Sequence, residues 1–327
     1  MLLVTGAAGF IGSNIVAALS ERDREIVVCD WLCSDERWRN LAKHDVADLI
    51  DPEGLLRWLN QKGGGLQGVV HMGAISTTTE TDVNLIVARN IRATLDLLDW
   101  CTEAQVPLIY ASSAATYGDG TQGFDDAFSR DSLAQLRPLN AYGWSKHVVD
   151  RKVARMVAEG ARLPPQWVGL KFFNVYGPNE YHKGSMRSVI AKNFSEIQRG
   201  TPMRLFRSHK SEYPDGGQKR DFIYVRDCVD VILWLLENPK VSGLYNLGSG
   251  QARTWLDLAN AMFAALGRPA NVEIIEMPVE LQSKYQYFTQ ARMDRLRSAG
   301  YVQPFTSLED GVRDYVSQYL MQGDPYR

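Results

Sequence analysis

The chain has 327 residues, 45% hydrophobic and 23% charged, with a formal net charge of -2. That length suits about two domains, or one large α/β domain with an appended lobe, and the near-neutral balance gives no electrostatic pull toward nucleic acid or a membrane surface. Cys29, Cys33, Cys101 and Cys228 lack metal-ligand spacing, so they read as reduced thiols of a cytoplasmic protein with no metal; no stretch approaches the roughly 18 apolar residues of a membrane span, and "MLLVTGAAGF" lacks the basic start of a signal peptide.

In chain order, "LLVTG" is an apolar run ending at glycine, a buried strand. "FIGSNIVAALSER" places Ile11, Ile15, Val16 and Leu19 at helical spacing. "EIVVCD", "LQGVVHMGA" and "VPLIYASS" repeat the strand signal, with the long amphipathic helix "NLIVARNIRATLDLLDWCTEA" between the last two. "YGWSKHVVDRKVARMVAEG" is a helix and "WVGLKFFNVYG" a strand. Nearly continuous apolar strands alternating with helices predict a parallel sheet covered on both faces, a Rossmann-type doubly wound α/β fold. After about residue 177 the rhythm loosens: "SMRSVIAKNFSEIQRG" reads as a helix, "MRLF" as a short strand and "SHKSEYPDGGQ" as a surface loop. "RDFIYVRDCVDVILWLLEN" returns to strand and helix. "TWLDLANAMFAALG" is a helix, "VEIIEMP" a strand and "LEDGVRDYVSQYLM" a helix. The expected division is a cofactor domain over 1–177, with a return segment near 218–240, and a smaller, mainly substrate-binding lobe over 178–327.

"TGAAGFIG" sets Gly6, Gly9 and Gly12 three apart between a strand and a helix. Glycines there permit the tight turn and let the backbone approach a pyrophosphate seated on the helix N-terminus. Asp30 ends the second strand, where an acid receives the adenosine ribose hydroxyls. Arg37 and Arg39 follow in "DWLCSDERWR". A guanidinium can hold a 2'-phosphate and offset repulsion from Asp30, which favours NADP, with NAD the alternative.

Tyr142 and Lys146 in "YGWSK" are four apart on a helix and share one face. The ammonium and a positive nicotinamide would both favour phenolate at Tyr142. "YASSAATYG" offers Ser113 to hydrogen-bond the reacting oxygen. With "TGAAGFIG", "HMGA", "NVYGP" and "RDFIYVRD", the whole chain resembles the extended short-chain dehydrogenase/reductase family. More closely, "YASSAATYG", "FFNVYGPNEYHKGSM", "RDFIYV", "YNLGSG" and "YQYFTQA" resemble its ADP-glycero-manno-heptose 6-epimerase branch.

That resemblance implies bound NADP, hydride removal at C6'' of an ADP-heptose in the pathway to lipopolysaccharide core, return to the opposite face, and a homo-oligomer. It implies two acid/base groups, Tyr142 and Lys183 of "HKGSM", since one tyrosine serves two ketone orientations poorly when proton transfer needs heavy atoms within about 3 Å. By the same resemblance Phe10, Ile11, Asp30, Trp31, Arg37, Gly73, Ala74, Ser76, Asn90, Lys146 and Val175 meet the cofactor. Asn174, Ser185, Lys192, Phe206, Arg220 and Tyr285 meet the ADP-sugar, and the fork of Arg220 suits a diphosphate. Trp31 stands where a smaller polar residue is expected, and the 208–219 loop is longer than the family's.

Two enzyme rivals and one non-enzyme follow. A nucleotide-sugar 4,6-dehydratase needs two acids where this chain has Ala114 and Ala115. A UDP-hexose 4-epimerase shares the Ser/Tyr/Lys set, and Lys183 discriminates. An NADP-sensing module without turnover would have no use for Ser113, Tyr142 and Lys146 together.

Overall fold

A computed structural model describes residues 1–282 and 285–327. Seven strands form the larger sheet: β1 (Leu2–Thr5), β2 (Ile26–Cys29), β3 (Asp48–Ile50), β4 (Val69–His71), β5 (Leu108–Ser113), β6 (Trp167–Phe172) and, much later, the strand Gly243–Leu247. Counting every strand along the chain, β7 is Asn174–Tyr176, β8 Met203–Phe206, β9 Lys219–Tyr224, β10 that Gly243–Leu247 strand, β11 Ala252–Thr254 and β12 Val272–Ile275. The large sheet runs β10-β6-β5-β4-β1-β2-β3, parallel throughout. β11-β9-β7 form a three-stranded sheet and β12-β8 a pair.

The strands alternate their apolar side chains between two cores. Leu2, Val4, Ile26, Val28 and Val70 point to a face covered by the helices Phe10–Ser20 and Val225–Glu237. Leu3, Val27, Cys29, Val69 and Leu108 point to the other, under the helices Leu55–Lys62, Ala93–Ala104 and Ala141–Ala158. Burial on both faces is why these strands are apolar end to end. A separate core joins Phe194, Leu205, Phe222, Leu258 and Tyr315.

Strand order reverses between β1 and β4, so their carboxyl ends part there and open the crevice in which open α/β sheets receive ligands. The glycine turn after β1 and the Met72–Ser76 segment after β4 flank it.

The structure revises four expected elements. "WVGLKFFNVYG" is not one strand: it breaks at Phe173, whose N–H bonds Leu247 O at 3.0 Å, and β7 then pairs with β9 in the smaller sheet. β9 likewise stays in the smaller sheet, and the strand that re-enters the large one is β10, paired with β6. The helix starting near Val83 carries a π-helical turn over Val87–Arg92. The helix expected from Ser185 starts at Val189, capped by Ser188.

Candidate active site

Gly6 has φ +63, and a Cβ on it would lie 2.5 Å from Gly73 N; one on Gly12 would lie 2.0 Å from Gly6 O. Both positions therefore require glycine: Gly6 brings the ends of β1 and β4 into contact, and Gly12 seats the following helix on the turn. Gly9 caps the helix Phe10–Ser20 without a side-chain hydrogen bond, so its first amides meet no cap and suit an anion. This cradle fits a dinucleotide pyrophosphate.

Asp30 lies just past β2 and accepts the Ala8 N–H at 2.9 Å. Burial pushes its carboxyl up, while the Ala8 N–H and the Arg37 charge pull it down. Arg37 is thus beside Asp30 but grips Asp35, Nη2 to Oδ2 at 2.7 Å. Arg39 pairs with Glu36 on the surface. The Trp31 indole donates to Glu53 at 2.7 Å, and the Arg89 guanidinium lies 3.6 Å from the ring centroid. Asn90 sits in the π-helical turn, where an extra backbone residue turns its side chain inward. Fully buried, it accepts the Ile75 N–H at 2.8 Å and donates to Ile75 O at 2.9 Å and Ser145 Oγ at 3.1 Å. Its amide is spent on holding the Gly73, Ala74 and Ser76 segment to the helix Ala141–Ala158, which leaves no free donor for a ligand.

Asn140 caps that helix, accepting the Gly143 N–H at 2.8 Å, and so starts it one residue before Tyr142. Gly143 packs on β5's end, where a Cβ would lie 2.7 Å from Ala115 O. Ser113 closes β5. Burial pushes the Tyr142 phenol above its ordinary value, with the Ser113 hydroxyl acting against that. The expected pull of Lys146 toward phenolate is not the larger influence in the protein alone. Lys146 is 3% exposed, and burial lowers its ammonium to about 8 against the opposing charge of Asp150.

Lys183 lies in a short 3-10 segment, Tyr181–Met186. It lines a cavity of about 170 Å³ with Asn174, Val175, Phe222 and Trp255, and its Nζ is 5.5 Å from the Phe10 ring centroid. The structure thus brings Lys183, Asn174 and Val175 together beside the glycine turn. Burial pulls the Lys183 ammonium below its usual range, opposed by Glu180. The loop is tied down from several sides. Asn14 donates to Pro178 O at 3.0 Å, Asn179 to Ser13 Oγ at 3.0 Å, and Tyr181 to Pro325 O at 2.8 Å.

Arg220 is 8% exposed, with its guanidinium 5.8 Å from the Trp255 ring and 5.2 Å from the Tyr285 ring. Its guanidinium bonds its neighbour's carbonyl, Lys219 O, at 2.9 Å; among the described residues no carboxylate pairs with it. Phe206 packs edge-on against Tyr285 at 6.1 Å. Ser185 and Lys192 are exposed. The 208–219 loop folds on itself, Ser208 N–H to Asp215 at 2.8 Å, and His209 N–H reaches Tyr287 at 3.0 Å.

Among the buried charges that sequence reasoning did not single out, Glu180, Asp150 and Lys171 lie nearest the candidate acid/base groups. Glu180 accepts the Ser188 hydroxyl at 2.6 Å and the Ser188 N–H. Two signals were there to read. Asp150 continues the Tyr142, Lys146 spacing on one helix face, and Lys171 interrupts an otherwise apolar strand.

A family model for the NAD dependent epimerase/dehydratase family matches residues 2–248. The chain is 49% identical, over the full length of both, to a protein of Nitratidesulfovibrio vulgaris strain DP4 named ADP-L-glycero-D-manno-heptose-6-epimerase. It is 43% identical, again at full length, to one of that name from Fusobacterium nucleatum. Among solved structures, the Helicobacter pylori ADP-L-glycero-D-manno-heptose-6-epimerase superposes with a TM-score of 0.79 at 27% identity, over 97% of this chain and 95% of that one. The Thermus thermophilus UDP-glucose 4-epimerase complex with NAD gives 0.73 at 26%, over 96% and 97%. With its glycine cradle, its β5 serine and its Tyr142–Lys146 helix, the chain belongs to the NAD dependent epimerase/dehydratase family.

Proposed function

We propose that the protein interconverts ADP-D-glycero-D-manno-heptose and ADP-L-glycero-D-manno-heptose by epimerising C6'', with a nicotinamide dinucleotide held on the glycine turn. The observation that carries this reading is Lys183: a partly desolvated ammonium in a small cavity with Asn174, next to the cofactor cradle. When bound, the nicotinamide supplies the hydride acceptor and donor. Tyr142 takes the C6'' hydroxyl proton in one sugar orientation, with Ser113 donating to the same oxygen and Lys146 keeping the phenol acidic. Lys183 takes or gives the proton in the other orientation. Burial lowers the Lys183 ammonium, which brings it closer to exchanging a proton near neutral pH. Arg220, buried without a carboxylate, meets the ADP diphosphate, with Phe206 and Tyr285 beside it. Asp30 holds the adenosine ribose and Asn90 positions the segment after β4. Arg37 holds the 2'-phosphate of NADP by leaving Asp35. Arg37→Ala then weakens NADP far more than NAD, and equal losses in a fluorescence titration would remove it from that role.

The test is a panel of ADP-, GDP- and UDP-sugars incubated with purified protein, with the epimers resolved by chromatography. Interconversion of the two ADP-heptoses is expected, and deuterium placed at C6'' stays in the product. Turnover of UDP-glucose to UDP-galactose with ADP-heptose untouched would replace this reading with that of a UDP-hexose 4-epimerase.

A further inference from the structure

Beneath the Tyr142 helix lies an ion pair that the proposed chemistry does not use. Lys171 Nζ and Asp150 Oδ2 are 2.9 Å apart, and both side chains are 0% exposed. The pair grips both flanks of Ser113. Ser112 Oγ donates to Asp150 Oδ2 at 2.7 Å. Lys171 Nζ donates to Thr116 Oγ1 at 2.6 Å, and Thr116 Oγ1 donates to Ser113 O at 2.8 Å. Asp150 is also one helical turn past Lys146 on the same face. Its Oδ1 has no partner among the described residues.

We propose that Asp150 and Lys171 are positioning residues for the reaction: Asp150 holds the proton on Lys146, Lys171 moderates that hold, and the pair fixes Ser113 against the Tyr142 helix. The inference rests on the reading of Tyr142 and Lys146 given above. Asp150 is the charge that opposes the burial of Lys146. Around the pair and Lys146, Arg137 and Arg151 bear on His147 and Asp126 bears on Tyr117, and neither set of charges acts on Lys146 itself; the remaining titratable neighbours are neutral. His71 of β4 is pushed to about 3, with its nitrogens on Thr5 at 2.6 Å and Thr94 at 2.9 Å. His147, on the same helix, is lowered to about 4 by burial. Burial raises the phenols of Tyr110 on β5 and Tyr117 just after it. That leaves Asp150 as the charge acting directly on Lys146, with Lys171 acting on it through its contact with Asp150.

A buried pair that only supports the fold is the competing account, since such pairs are often replaceable without loss. The signs separate the two. Removing the Asp150 charge weakens proton binding at Lys146, whereas removing the Lys171 charge leaves Asp150 unneutralised and strengthens it. A carboxylate acting across one helical turn is expected to shift the titration by about one pH unit.

The experiment is a 13C NMR titration of protein labelled at lysine Cε, with the Lys146 resonance assigned by its loss in Lys146→Met. It is run on the full chain alongside the pH profile of kcat/KM for ADP-heptose. Asp150→Asn should lower the Lys146 midpoint and move the alkaline limb of the profile down by a similar amount; Lys171→Met should move both up. If Asp150→Asn does not fold, Lys171→Met is compared with Asp150→Asn/Lys171→Met, which carries no unpaired buried charge, and the double variant should titrate about one unit lower. Unchanged midpoints, or shifts in the same direction, overturn the proposal. The NMR arm needs no turnover, so an inactive protein would count against the proposed reaction and leave the inference to be decided by the titration.

Discussion

Lys183 owes its place to the glycine after it. Gly184 has φ +53 and ψ −122, a region open to glycine and strained for other residues, yet a Cβ there would meet nothing within 4 Å. The requirement is one of backbone conformation rather than space. Gly184→Ala is expected to cost about 1–3 kcal/mol locally and to displace Lys183. Steady-state kinetics should show a large fall in kcat, with cofactor affinity unchanged by fluorescence titration. Lys146 sets the pH response. A lysine ordinarily keeps its proton to about pH 10.4, but burial lowers this one to about 8. The ammonium that favours phenolate at Tyr142 is present below that value and lost above it, so kcat/KM should fall as pH rises through about 8. Stability should respond in the opposite sense. Between about pH 8 and 10.4 only the unfolded chain still binds this proton, so this group's contribution to folding rises with pH across that window. An activity profile flat to pH 10 would remove Lys146 from the chemistry.

Among the elements, the π-helical turn at Val87–Arg92 is the one whose removal would be felt at a distance. It turns Asn90 into the interior, where one amide serves Ile75 twice and Ser145 once. Asn90→Ala leaves those buried groups unpaired and is expected to cost about 1–3 kcal/mol, read by chemical denaturation, with a weaker hold on the cofactor as the functional sign. The turn was not legible in the sequence, because "NLIVARNIRATLDLLDW" keeps a helical apolar pattern straight through it. Nor was the break at Phe173: an unbroken apolar run says that a strand is buried, not which sheet buries it, and that choice is made by β9 and β10. The three-residue β3, with one side chain buried, is too short to carry a period. What could be read were features with local causes. The glycine spacing, the Tyr142–Lys146 helix and the serine at the end of β5 all follow from turn geometry or helical periodicity. Asp150 and Lys171 left a local trace, in the helical spacing and in the interrupted strand, but that they pair with each other across 21 residues is a tertiary fact no local pattern gives, and the loop around Glu180 has no period to mark it.

At the scale of the whole molecule, the proposed site draws its residues from two cores. The Tyr142 helix packs on the large sheet, whereas Arg220 on β9 and the Lys183 cavity with Trp255 and Leu258 belong to the smaller sheet and its core. Burying Arg220 without a carboxylate among the described residues is a cost to the fold as a whole, only partly offset by its two aromatic neighbours. Arg220→Met should therefore raise KM for the ADP-sugar tenfold or more while leaving the melting temperature unchanged or higher. A melting temperature lowered by several degrees, with KM intact, would make Arg220 a packing residue instead.

The alternation of strands between sheets also decides how such a protein could be recombined with a relative of different specificity. The chain passes from the large sheet to the smaller ones after β6, returns for β10, and leaves again for β11. A hybrid made by exchanging everything after Phe173 would carry a foreign β10 into the edge of the host sheet, against β6 and beside Lys171. Three junctions are needed rather than one, with residues 225–247, the covering helix and β10 together, kept from the host. Hybrids that retain this segment should be recovered soluble and cooperative in unfolding more often than those that do not, and a library scored for expression would show whether the seam runs there.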